Sequence, residues 1–381
     1  MSTPAARYIQ NSAVPLQRVD AHEELLASLT RINAYNPPVQ TCSTGWAFSG
    51  LYQGPTSVAY LFYRLSQIYG PELNFKGQSL LDWAQAYLDL GIYGKQRPVD
   101  ENHCGIASEI LAQLALRAVI EEDPSLVQQL CSYAGVVNGD IGGGGSNEWL
   151  YGRAGYLYLL RVARAGFQND AKTSRVIDKS IQATVQRILA SKQPWTWHGK
   201  QYVGAAHGTF GIICQVVLSS PTSASSLEPV LRDLLQTQFP SGNFPSSLPA
   251  GSDKLVQFCH GGPGVVVVLR SIQEYFPSLR NQIDTVVSAA QRDMWKRGLL
   301  TKEPCLCHGT PGNALALDDD AQFQHLMAFT TSELLESQGW LEEAGKSDGF
   351  VGLFTGEAGR AWAWAVADKG LEKACIGFND V

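Results

Sequence analysis

No run of eighteen uninterrupted apolar residues occurs in this 381-residue sequence, so its pattern offers no membrane-crossing helix. Met1 to Leu16 lacks the basic-then-apolar order of a secretion signal, and the cytosol is the expected compartment. Excess basic charge is missing too: 29 Lys and Arg stand against 35 Asp and Glu, for a net charge of -6. That balance disfavours nucleic-acid partners and adsorption to anionic lipid. Without a signal peptide, the eight cysteines (42, 104, 131, 214, 259, 305, 307 and 375) read as reduced thiols and metal ligands, not as a disulfide framework.

What the chain does contain is repetition. Cys259-His260-Gly261-Gly262-Pro263-Gly264 recurs as Cys307-His308-Gly309-Thr310-Pro311-Gly312, and Ala206-His207-Gly208-Thr209-Phe210-Gly211 keeps the histidine and glycines without the cysteine. Related glycine turns occur around Gly54, Gly105, Gly152 and Gly356. The seven turns are spaced 47 to 56 residues apart. Near-regular units of this length mark a repeat architecture in which each helical pair buries its apolar face on its neighbours.

The spacers carry helical periodicity over Ser79 to Leu90, Ser125 to Tyr133, Ser174 to Ala190, Leu227 to Gln236, Ser278 to Lys296 and Gln322 to Gln338. Asp20 reads as the N-cap of a further amphipathic helix reaching Tyr35. Segments just after the turns, such as Gly264 to Leu269 and Gly359 to Ala367, are small or apolar throughout, as buried helices are. The expected fold is therefore all-α: an α/α toroid of seven helical hairpins, with inner and outer rings and the glycine turns gathered around one cavity. Residues 20–381 would form this single domain, behind an N-terminal extension of residues 1–19. Val265 to Val268 alone resemble a buried strand, and the repeat overrides that preference. The inner helix after the sixth turn should be short, ending near Leu317.

Thiolate and imidazole are preferred zinc ligands, and a catalytic zinc site keeps one position open beside three protein ligands. Cys259, Cys307 and His308 fill those three places, leaving His207 for proton transfer. Cys305, two residues before Cys307, reads as a spare thiol; as a fourth ligand it would close the site and make it structural.

The series Gly204-Ala-Ala-His207-Gly, Phe258-Cys259-His260-Gly and Leu306-Cys307-His308-Gly resembles that of the lanthionine synthetase C-like family. The stretches from Glu148 to Tyr156 and from Leu353 to Gly359 resemble its eukaryotic branch in particular. The resemblance implies an α/α toroid with one zinc on Cys259, Cys307 and His308. It also implies thiol addition to dehydroalanine or dehydrobutyrine, with glutathione as co-substrate and damaged proteins or peptides as acceptors. His207 matches a histidine assigned to acid/base work, and Glu148 stands where bacterial members carry an aspartate. Lys302 matches a basic position that contacts glutathione, and Arg153 is set beside it as a candidate contact. Phe258 replaces the usual tryptophan. A non-catalytic glutathione- or partner-binding adaptor with a retained zinc, or a lanthipeptide cyclase, are the competing functions. A glycosidase on the same fold would need a carboxylate pair and no thiolate zinc.

Overall fold

Asp20 accepts hydrogen bonds from the backbone N–H groups of His22 and Glu23, and helix α1 follows over Ala21–Tyr35 with Leu25, Leu29 and Ile32 buried. The computed structural model describes residues 6–11, 18–39, 46–92, 96–139, 145–341 and 350–381; Cys42 lies outside them. After α1 come α2 (Pro55–Tyr69) with α3 (Leu80–Gly91), α4 (Glu109–Ile120) with α5 (Pro124–Ser132), the short α6 (Ala134–Val137), and α7 (Arg153–Gly166) with α8 (Ala171–Leu189). Then follow α9 (Thr209–Ser219) with α10 (Ala224–Leu235), α11 (Gly262–Ile272) with α12 (Arg280–Arg297), α13 (Thr310–Ala314) with α14 (Asp320–Ala328), α15 (Ser332–Ser337) and α16 (Glu357–Lys369). None of the described helices is long and apolar enough to cross a membrane.

The motif-led helices form a closed inner ring: α2 packs on α4, then α7, α9, α11, α13 and α16 follow, and α16 returns to α2. Outside them lie α3, α5, α8, α10, α12 and α14, while α1 takes the outer place against α16. The expected toroid is thus present. Inner helices are buried on all sides: α7 from Arg153 to Ala163 and α16 from Glu357 to Val366. Val265 to Val268 lie within α11, where neighbours on every side reward helix over the local strand preference.

Two local expectations change. The single helix expected over Gln322 to Gln338 is two, α14 and α15. Thr330 Oγ1 donates to the Met327 carbonyl (2.8 Å) and Thr331 Oγ1 caps the N–H of Leu334 (3.4 Å). Hydroxyl side chains there compete for the backbone and end one helix while starting the next. Residues 6–11, expected as part of a loose arm, are docked: Ile9 N–H donates to the Leu299 carbonyl (2.7 Å) and Asn11 to that of Trp295 (3.1 Å).

In five of the seven turns a second glycine follows three residues later, for a steric reason, while Ser57 and Ser108 stand in that place in the first two. A Cβ on Gly155, Gly211, Gly264, Gly312 or Gly359 would lie 1.9–2.1 Å from the carbonyl oxygen six residues earlier, so the turn folds back against its own inner helix only with glycine there. The turns are also stitched to one another around the axis. Cys259 N–H donates to the Cys307 carbonyl (3.0 Å), Cys307 N–H to that of Phe354 (2.9 Å), and Phe354 N–H to that of Tyr52 (3.0 Å). Leu51 N–H continues to Ile106 (2.9 Å), and Trp149 N–H joins Ala206 (3.1 Å). Repeats distant in sequence are thereby backbone neighbours. Below them Trp149, Phe258, Phe354 and Phe378 pack ring against ring with centroids 5.0–6.2 Å apart.

Candidate active site

The turns place side chains by their distance from the capping glycine of each inner helix. One residue before it stand His207, His260 and His308; two before it stand Cys259 and Cys307; four before it stand Glu148 and Gln257. The bond between Trp149 and Ala206 brings the third and fourth turns together, and Glu148 Oε2 lies 2.7 Å from His207 Nδ1. Glu148 is 2% exposed and also accepts the N–H groups of Leu150 (2.9 Å) and Tyr151. With Nδ1 bonded to this carboxylate, the other ring nitrogen of His207, Nε2, is the one left for further partners.

Across the site, Cys259 and Cys307 stand on adjacent turns joined by the bond from the Cys259 N–H to the Cys307 carbonyl (3.0 Å). The neighbouring Cys307 thiol, then Gln257, holds the Cys259 thiol below its ordinary range against the opposing effect of burial, with His207 and Lys302 adding favourable charge. The same neighbour relation, then burial, pushes Cys307 up. Gln257 Nε2 donates to Cys259 Sγ (3.1 Å), Tyr52 Oη donates to Cys307 Sγ (3.3 Å), and Lys302 Nζ donates to Gln257 Oε1 (3.1 Å). Cys305 is fully buried, and desolvation pushes its thiol up to about 12.

His308 is not gathered with the two thiols. Its Nε2 lies 3.9 Å from Glu303 Oε2, and burial, then Lys302, lowers its pKa. Among the described residues no three His, Cys, Asp or Glu side chains stand together as a metal cluster. His260, lowered to about 4 by burial, then by His207 and Lys302, keeps a buried Nδ1 without a hydrogen-bond partner. The chemistry of the donor set nevertheless fits zinc: two soft sulfurs on adjacent, bonded turns, one held toward the thiolate, each with an imidazole next to it in the chain.

Arg153 is bound up in the core. It is wholly buried, and its guanidinium donates to the carbonyls of Val137 (2.8 Å) and Gly139 (3.4 Å) and to Asn147 Oδ1 (3.0 Å). Its place after Gly152, inside the first turn of an inner helix, puts it in the core. Sequence reasoning missed four residues at the site: Tyr52, Gln257, Trp197 and Tyr202. The repeat itself marks two of them, because Tyr52 precedes Gly54 as Cys259 precedes Gly261, and Gln257 occupies the Glu148 position. Trp197 and Tyr202 lie in a hairpin outside the repeat, beside His207.

The ring of hairpins, with two cysteines and a carboxylate-bound histidine on its motif turns, is an α/α toroid. The family model for lanthionine synthetase C-like proteins matches residues 45–372, and the chain belongs to that family. It is 29% identical over 313 residues to the zebrafish (Danio rerio) glutathione S-transferase LANCL1, covering 76% of this chain and 72% of that one. It is 34% identical over 188 residues to the LanC-like protein GCL1 of Arabidopsis thaliana, covering 46% of this chain and 42% of the plant protein. Nisin cyclase shares the fold, with a TM-score of 0.57 at 14% identity over 92% of this chain and 94% of that chain.

Proposed function

We propose that this protein adds the thiol of glutathione to the β-carbon of dehydroalanine or dehydrobutyrine residues in peptides or proteins, with one zinc held by Cys259, Cys307 and His308. The observation that carries this reading is the meeting, around one rim, of two cysteines on bonded turns with a histidine whose Nδ1 is held by a buried carboxylate. Bound there, zinc supplies the charge that keeps a visiting thiol deprotonated near neutral pH.

The chain's own residues do the rest. Tyr52 and Gln257 donate to the two protein sulfurs and spread their charge. Lys302, tied to Gln257, is the cation nearest this half and receives a carboxylate of glutathione. The free His207 Nε2 first accepts the proton of the glutathione thiol; as the new S–C bond forms, the alkene π electrons move toward the acceptor carbonyl, and Nε2–H returns that proton to the α-carbon. Glu148 holds the imidazole in the tautomer that leaves Nε2 free for this step.

The test incubates zinc-supplemented protein with glutathione and a dehydroalanine peptide and reads the peptide mass. A gain of one glutathione, absent with Cys259→Ala, supports the reading. Glutathione binding without any mass gain would instead favour the adaptor.

A further inference from the structure

The segment joining α8 to α9 contributes no helix to either ring. It forms a hairpin that turns at His198 and Gly199, both with positive φ (46° and 72°), so that Trp197 pairs with Lys200. Beyond the turn, Gln201 and Tyr202 pair antiparallel with Leu248 and Ser247. Trp195 anchors the near end: it is 5% exposed, and its Nε1 donates to Ser191 Oγ (2.9 Å). The hairpin is therefore fixed on both sides.

Its product is a ring placed flat on His207. The Trp197 and His207 centroids are 4.0 Å apart with 3° between planes. Tyr151 lies nearly parallel at 6.3 Å, Tyr202 tilted at 5.9 Å, and His260 at 5.8 Å. With Glu148 on Nδ1, the imidazole is enclosed by neighbours and presents Nε2 for chemistry.

We infer that Trp197 is a positioning residue for His207. A single hydrogen bond at Nδ1 fixes one direction of the ring but leaves it free to pivot about that bond. A parallel indole at contact distance removes the pivot, because turning the imidazole would drive its edge into the indole face. The aim of Nε2 at the acceptor α-carbon is thus set by two groups: Glu148 sets direction and Trp197 sets the plane. That consequence for turnover rests on the thiol-addition reading, whereas the fixing of the ring does not.

The experiment compares wild type, Trp197→Leu and Trp197→Phe by proton NMR of the His207 ring, assigned with His207→Asn, and by steady-state addition of glutathione to a dehydroalanine peptide. In wild type the His207 ring protons should be displaced upfield by the indole ring current. Trp197→Leu should move them downfield, broaden them, and lower kcat by about 10–100-fold with KM for glutathione unchanged. Trp197→Phe, which keeps a flat face, should recover most of both. An unmoved resonance in Trp197→Leu, or an unchanged kcat, overturns the inference; so does equal loss in the leucine and phenylalanine variants. If wild type adds no thiol while the resonance still moves in Trp197→Leu, the thiol-addition reading fails and the fixing of His207 stands.

Discussion

His207 and His308 occupy the same place in their repeats, one residue before the capping glycine, yet their surroundings differ. His207 is bonded at Nδ1 by the buried Glu148 and covered on one face by Trp197. His308 is 29% exposed and stands 3.9 Å from Glu303, itself 60% exposed. The cause lies one turn back. Glu148, four before its glycine, reaches across to the next turn's histidine; Gln257, in the equivalent place, bonds to its own Cys259 and to Lys302. The repeat supplies the same backbone place twice, and the neighbouring turn decides what the imidazole does. In one half of the site His207 is held on two sides by protein groups, while in the other the turns of Cys259 and Cys307 are joined and keep the His308 imidazole apart from both thiols. In our reading that imidazole is the third zinc ligand.

Substitutions that separate the halves test this difference. The largest effect belongs to Cys307→Ala, which should abolish thiol addition and zinc retention together, read by peptide mass and elemental analysis. His207→Asn should lower kcat by about 10²–10⁴-fold with zinc content unchanged, since only proton transfer is removed. Glu148→Gln keeps the shape but loses the charge that fixes the tautomer, and a drop of about 10–100-fold is expected, again at full zinc content. Zinc loss in either of these last two would mean that the halves are not separable.

Smaller effects sharpen the same contrast. Arg153→Met leaves the Val137 and Gly139 carbonyls without their buried donor. It should cost roughly 2–4 kcal/mol in urea unfolding while KM for glutathione stays as in wild type. Lys302→Met should raise KM for glutathione several-fold, about 1 kcal/mol for a half-buried cation, with kcat nearly unchanged.

How far the sequence leads depends on whether a residue belongs to the repeat. The toroid follows from seven glycine turns and the apolar helices behind them, because that pattern states which face of every element is buried. The juxtaposition of Cys259 with Cys307 follows too, since adjacent repeats place equivalent residues on neighbouring turns. Arg153 shows the cost of reading residue type without repeat position: a cation beside a motif suggested a ligand contact, while its place on an all-buried helix assigns it to the core. Tyr52 and Gln257 were readable from that same position. Trp197 was not, because the hairpin carrying it sits outside the period, and ring stacking leaves no spacing in the sequence. The break between α14 and α15 was hidden for a local reason, two threonines whose hydroxyls outbid a helical period that continues past them.

The most direct test of the unequal halves is zinc stoichiometry by elemental analysis of the purified protein, compared across wild type, His308→Asn and Cys305→Ala. One zinc per chain in wild type, retained in Cys305→Ala and weakened in His308→Asn, is the expected result. Wild-type protein that holds no zinc after zinc supplementation, or a Cys305→Ala variant that loses it, would contradict a three-ligand centre on Cys259, Cys307 and His308.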